Sequence, residues 1–204
     1  MSTYFIPTDT VVFEEEIKRS RFITYLSPAK NKAEAMEFIN LIKEEYPDAR
    51  HHCWAYIAGD PDCTTEVGMT DDGEPHGTAG RPMLGVLKNK NIGEAVTISV
   101  RYFGGTKLGT GGLVRAYSGG VLGAVEESEL IEKIPLAQIL VSVPFSMESH
   151  IRRFIAEKNL KILNVEYVNN VRFSLEFPLT DLEAVKAELI DSTNGQAIVE
   201  TIEG

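Results

Sequence analysis

RYFGGTKLGTGGLVRAYSGG, residues 101–120, holds seven glycines and the cations Arg101, Lys107 and Arg115, with no acid. Its left flank, AVTISVRYF, is a β-branched run that predicts a buried strand ending near Phe103. The glycines then turn the chain, and a helix is expected from about residue 112 to 128. Within that helix Gly112, Ala116, Gly119, Gly120 and Gly123 recur at spacings of three and four, a small-residue face that can press close to a sheet. Gly119, Gly120 and Gly123 are assigned to packing. Gly104, Gly105, Gly109, Gly111 and Gly112 lie among the cations before and at the start of the helix. Glycine bares backbone N–H groups, and a helix N-terminus adds unpaired donors and partial positive charge. The segment therefore reads as an anion or phosphate-backbone site. It matches no named phosphate motif: Thr110 stands where a P-loop needs lysine, and Val114 where a dinucleotide fingerprint needs its third glycine.

The surrounding charge sharpens that reading. The chain carries a formal net charge of −10, which argues against indiscriminate binding to nucleic acid. Yet residues 77–120 hold Arg81, Lys88, Lys90, Arg101, Lys107 and Arg115 against Glu94 alone. Beyond residue 125 there are seven basic and fourteen acidic residues. A positive island on an acidic protein attracts phosphate locally.

Working outward, TVVFEEEIKRSRFITYL (10–26) reads as a strand pair with Lys18, Arg19 and Arg21 near its turn. A helix follows with Asn31 as N-cap and Glu34 three residues on, and Pro47 ends it. CWAYIAG is the next strand, MTDDGEPHGT a loop, and AGRPMLGVLKN a short helix. Fourteen of seventeen glycines fall between residues 68 and 123, so the halves differ in kind. EESELIEKIP (126–135), charged and ending on proline, suits a boundary. This gives a first domain over 1–130 and a second over 135–204. In the second, LAQILVSVPF is a strand and Met147, Ile151, Phe154 and Ile155 make a helical face. ILNVEYV and VRFSLEF flank Asn169–Asn170, a pair suited to a two-residue hairpin turn. Thr180 and Glu183 form a capping box before a further helix, and QAIVETI closes the chain. The order βαββαβ is ferredoxin-like, and the fold class is α+β.

Other chemistries are less well served. Asp71, Asp72 and Glu74 in DDGEP, with His76 beside them, could hold a metal or act as acid and base, but a turn whose acids pair with nearby cations is the plainer reading. RHHCW puts His51 and Cys53 on one strand face and His52 and Trp54 on the other, too few same-face ligands to close a zinc site. No nucleophile elbow surrounds Ser118. Neither a metal nor a cofactor is expected. Cys53 and Cys63 are unpatterned, as in reduced cytosolic thiols. No apolar run spans a bilayer and the N-terminus lacks a signal-peptide pattern, so the expectation is a soluble, cytoplasmic protein with no membrane partner.

RHHCWAYIAG, TDDGEPHGTAGRPML, VRYFGGTKLGTGGLVRAYSGGV and EEIKRSRFI together resemble the IMPACT family, in its bacterial two-domain YigZ/YvyE branch, over essentially the whole chain. The resemblance implies a first domain like the second domain of a small-subunit ribosomal protein and domain IV of the elongation factor EF-G. It implies a ferredoxin-like second domain like domain V of EF-G. It also implies an association with translation regulation, because eukaryotic members act in the amino-acid-starvation stress response.

Three functions remain open on the residues. The first is a non-enzymatic regulator binding RNA or the ribosome, with Lys18, Arg19, Arg21, Arg81, Arg101, Lys107 and Arg115 meeting phosphates and the Gly104–Gly112 backbone adding donors. The second is a metal-assisted enzyme on a phosphorylated small molecule or nucleotide, using Asp71, Asp72, Glu74 and His76. The third is a protein-interaction module, with the C-terminal domain as the surface for a protein partner.

Overall fold

Residue pattern sets the first hairpin, against the turn preference of its two central residues. The computed structural model describes residues 3–62 and 66–202. After a short strand β1 (Tyr4–Pro7), β2 (Val11–Ile17) and β3 (Ser20–Pro28) pair antiparallel with Ile17 opposite Ser20. Lys18 and Arg19 alone make the turn, at φ 49° and 65°. A two-residue hairpin needs positive φ at both positions, which suits Asn-Gly far better than two long cations. We expect Lys18→Asn with Arg19→Gly to raise stability by about 1 kcal/mol in urea denaturation. Unchanged or lower stability would show that the two side chains themselves hold the turn.

The chain continues through α1 (Lys32–Glu45), β4 (His51–Ile57), β5 (Val67–Thr70), α2 (Gly80–Asn89), β6 (Ala95–Tyr102), α3 (Thr110–Glu127) and β7 (Leu130–Lys133). The Asn31 side chain accepts from Glu34 N–H at 2.9 Å, so α1 starts where its cap requires. The five-stranded sheet runs β2-β3-β6-β4-β5, antiparallel throughout. Alternation sends Phe22, Leu26, Cys53, Ala55 and Ile57 to the face covered by α2 and α3. Ile23, Tyr56, Val96, Ile98 and Val100 go to the face covered by α1. Central β6 is covered on both faces, which explains its nearly unbroken apolar and β-branched sequence.

α3 lies tight against this sheet. A Cβ on Gly120 would collide with Thr24 Oγ1, and one on Gly123 would sit 2.6 Å from the Phe13 ring. Gly119 differs from expectation, since its nearest neighbour, Glu15 Oε1, lies at an ordinary 3.8 Å. The segment 126–135 is also more than a connection. Leu130–Lys133 pairs antiparallel with Tyr4–Pro7, and Glu94 accepts from Tyr4 Oη and ion-pairs with Lys133 beneath that ribbon. Leu130 and Ile131 side by side, followed by Glu132 and Lys133, show no alternation that would reveal the strand.

The chain forms two compact units, Tyr4–Lys133 and one made chiefly of Ile134–Gly204. The second runs β8 (Leu136–Val143), α4 (Glu148–Glu157), β9 (Lys161–Tyr167), β10 (Val171–Pro178), α5 (Leu182–Ser192) and β11 (Ile198–Ile202). Its sheet order β11-β8-β10-β9, all antiparallel, is the ferredoxin-like arrangement. Val171, Phe173, Leu175 and Phe177 point into a core with Ile151, Phe154 and Leu189. Two local expectations change. The β9–β10 loop has three residues, since Tyr167 pairs with Val171, and neither asparagine takes positive φ. The capping box is unmade: the chain enters α5 through a 3-10 turn over Leu179–Asp181, which makes Asp181 the N-cap and leaves Thr180 Oγ1 donating to Asp181 Oδ1.

Candidate functional site

The strand–glycine–helix passage builds one wall of a cavity of about 410 Å³ in the first unit. Gly109, at φ 73°, is the N-cap of α3, a conformation in which a side chain is strained. It offers no side-chain cap, and the first turn of the helix carries no acid. An uncapped 18-residue helix therefore presents its first N–H groups and positive dipole end at the cavity. The far end carries Glu126 and Glu127 and no base, so charge along α3 runs against its own dipole. Sequences that break a stabilising rule this way do so at sites kept for something else.

Three cations join the helix terminus. Lys107 comes from the glycine turn, Arg101 from the end of β6, and Arg50 from the residue before β4. His51 and Arg101 stand in register on β4 and β6, so one end of these two central strands delivers both. Glu74, from the loop before α2, is the single acid on the cavity wall. Its side chain is 4% exposed and forms an ion pair with Arg101, itself 6% exposed. Tyr117 Oη donates to the same Glu74 Oε1 at 2.8 Å, and burial pushes the Tyr117 hydroxyl well above the usual tyrosine range. His51 Nδ1 lies 2.8 Å from the Asp72 carbonyl oxygen, which can only accept, so this nitrogen carries the proton. Its Nε2 lies 4.0 Å from Glu74 Oε1. Glu74 thus ties Arg101 and Tyr117 together beneath the open N-terminus of α3, with the His51 ring beside them.

A smaller concavity lies beside the first. It is lined by Lys18, Leu108, Gly112 and Arg115, and Leu108 belongs to both. The hairpin turn and the start of α3 therefore extend the basic surface past the cavity mouth. Gly104 makes that junction possible. A Cβ there would overlap the Arg19 carbonyl, and the Gly104 N–H donates to Ser20 Oγ at 3.2 Å. Gly105 and Gly111 have open space around them.

The remaining anticipated residues lie elsewhere. Arg21 pairs with Glu14 at 2.8 Å on the face of the sheet that packs on α1. Arg81 lines a separate concavity with Asp71 and His76. Arg50, His51, Phe103 and Thr110 complete the main cavity. Phe103 and Thr110 come from the glycine stretch itself, whereas Arg50 and His51 join it through strand pairing, which proximity along the chain does not reveal. The one available signal was that Arg50-His51 and Arg101 each stand at a strand end.

The DDGEP acids are used structurally. Asp71 accepts backbone N–H bonds from Gly77, Ala79 and Gly80 at 2.7–3.0 Å and so serves as a remote cap for α2. Burial alone would raise its pKa, but those three donors and His76 outweigh it and hold the carboxyl below the ordinary aspartate value. A carboxyl depressed in the fold stabilises above its unfolded pKa, near 4, and that stability drains as pH falls through the lower folded value. Asp71→Ala should cost about 2 kcal/mol at pH 7 and progressively less in acid, as read from urea midpoints across pH. A pH-independent cost would contradict the capping role. Asp72 accepts from His52 N–H at 2.6 Å. Among the described residues no three His, Cys, Asp or Glu side chains are grouped to hold a metal ion. Cys53 is a fully buried free thiol whose pKa burial pushes up to about 12, and Cys63 lies outside the described residues. Among the described residues no helix is long and apolar enough to cross a membrane.

Comparison with known proteins fits this architecture. Residues 18–125 match the Impact N-terminal domain, and residues 141–196 match a domain of unknown function, DUF1949. An IMPACT family member of Haemophilus influenzae is 39% identical over 203 residues, covering 100% of this chain and 98% of its own. IMPACT family member YigZ of Escherichia coli is also 39% identical, with 100% of both chains covered. IMPACT family member YvyE of Bacillus subtilis is 34% identical, over 97% of this chain and 90% of its own. A crystal structure described as a hypothetical protein is 38% identical, with a TM-score of 0.67 and coverage of 100% of this chain and 98% of the other. A single family match spans the basic cavity and most of its supporting sheet, and relatives align over both units: the chain belongs to the IMPACT family.

Proposed function

We propose that the protein is a non-enzymatic, translation-associated regulator that binds RNA, with the ribosome as the natural source of that RNA. The observation that carries this reading is the uncapped N-terminus of α3 set among Arg50, Arg101 and Lys107, with Lys18 and Arg115 continuing the basic surface. Backbone donors at a helix start and flanking cations are what phosphate contacts use, and such contacts position a protein without reading sequence. The DDGEP carboxylates are each engaged, Asp71 and Asp72 with backbone N–H groups and Glu74 with Arg101, which favours a structural role for that loop. The test is co-sedimentation with ribosomes over a salt series, comparing the native chain with Lys107→Glu/Arg115→Glu. We expect pelleting that weakens steeply with salt and is lost in the variant. Pelleting that ignores salt, or none at low salt, would overturn the reading.

A further inference from the structure

The cavity differs from the groove beside it in ways that bear on what part of an RNA enters it. Its volume of about 410 Å³ lies in the range of small-ligand sites. Duplex RNA keeps its bases stacked and paired inside a stiff helix, so only a single-stranded or terminal nucleotide can enter a recess of this kind. Arg50, Arg101 and Lys107 against Glu74 leave two net positive charges on its wall. An internal phosphodiester carries one negative charge, whereas a phosphomonoester carries nearly two at neutral pH, its second pKa being about 6. The wall is thus matched to a monoester.

Two side chains strengthen the match. Arg101 lines the cavity at 5% exposure, and its Nε has no hydrogen-bond partner. Its Nη1 serves Glu74, and Nη2 reaches only Ser20 Oγ at 3.5 Å. A guanidinium has five N–H donors, so this buried group is left with donors unspent beside an uncapped helix start. Phe103 also lines the cavity and remains 45% exposed, although its ring lies 5.6 Å from the Arg101 guanidinium carbon. An aromatic ring at the mouth of a cationic recess is a stacking surface for a nucleobase.

We propose that this cavity takes a nucleotide bearing a terminal phosphomonoester, its phosphate at the start of α3 with Lys107 and Arg50 and its base on Phe103, while Lys18 and Arg115 follow the adjoining backbone. This rests on the RNA-binding reading and narrows it to strand ends. The chemistry is shared by a phosphorylated RNA end and a free mononucleotide, so both enter the test.

The experiment is fluorescence anisotropy with the full chain and one short single-stranded RNA prepared with a 5′-phosphate, a 3′-phosphate or hydroxyls at both ends, together with competition by free nucleoside monophosphates. One phosphorylated end should bind at least about tenfold more tightly than the hydroxyl-ended strand. Phe103→Ala should remove about tenfold of the affinity for that strand, with its thermal melt confirming the fold. Competition by a monophosphate at concentrations similar to the oligonucleotide would assign the site to free nucleotides, and weak competition to RNA ends. Equal binding of all three strands would overturn the end-recognition proposal and leave RNA binding standing. No binding of any strand would sink both. An end preference untouched by Phe103→Ala would overturn the stacking assignment.

Discussion

Reversing two cations at the cavity, Arg50→Glu with Lys107→Glu, should lower affinity for single-stranded RNA by about a hundredfold at low salt and flatten its salt dependence. Each phosphate neutralised on a single strand contributes about 0.7 to the slope of log affinity against log salt. Removing two such contacts should therefore reduce that slope by about 1.4. Arg50 lies outside the glycine-rich stretch, so the prediction separates a folded site from a merely basic loop. The control is Arg21→Glu with Arg81→Glu, which changes net charge equally. Arg21 is paired with Glu14 and Arg81 lies at a separate concavity, so this control should change affinity only slightly. Equal losses in both double variants would mean that overall field, not the cavity, drives binding. Titration by anisotropy across salt concentrations measures both quantities.

The second large effect concerns the support beneath the site. Arg101→Ala would leave Glu74, 4% exposed, without its cation and with Tyr117 as its remaining close donor. Breaking a buried ion pair from one side costs about 3–5 kcal/mol, because the surviving charge stays desolvated. Replacing both partners, Arg101→Ala with Glu74→Gln, should cost clearly less than Arg101→Ala and Glu74→Gln summed. Urea denaturation of the four proteins completes the cycle. A double variant as unstable as the sum of the singles would contradict the pairing. The ion pair therefore has a positional role, since it fixes a guanidinium at the cavity wall that an unpaired surface arginine would not keep in place.

Much of the architecture is legible in the residues. The alternation of β2 and β3, the Asn31 cap, the buried run of β6 and the ferredoxin-like order of the second unit all follow from local pattern, because both layers of packing reinforce it. The misses occur where local signals compete or are thin. Asn169–Asn170 looks like a two-residue turn, yet the type of turn that needs positive φ at both positions falls on Lys18–Arg19, where tertiary context overrides propensity. The β1–β7 ribbon is only four residues long in each strand, so it leaves no periodic trace. The glycine–cation stretch identified one wall of the site. Arg50, His51 and Glu74 reach that wall across strand pairings and a loop, which spacing along the chain does not encode. Glycines also divide by role in a way sequence only partly separates. Gly120 and Gly123 admit the sheet, Gly104 admits the Arg19–Ser20 corner, and Gly109 opens the helix end.

The central claim is that RNA phosphate meets the start of α3. Its most direct test is backbone amide NMR of the full chain titrated with a short single-stranded RNA. The account predicts the largest amide shifts at Lys107, Gly109, Thr110 and Gly111, with the Arg50–His51 amides following and the sheet of the second unit little changed. Shifts centred on the Asp71–Arg81 loop or on the open face of the second unit, with the start of α3 unmoved, would contradict it.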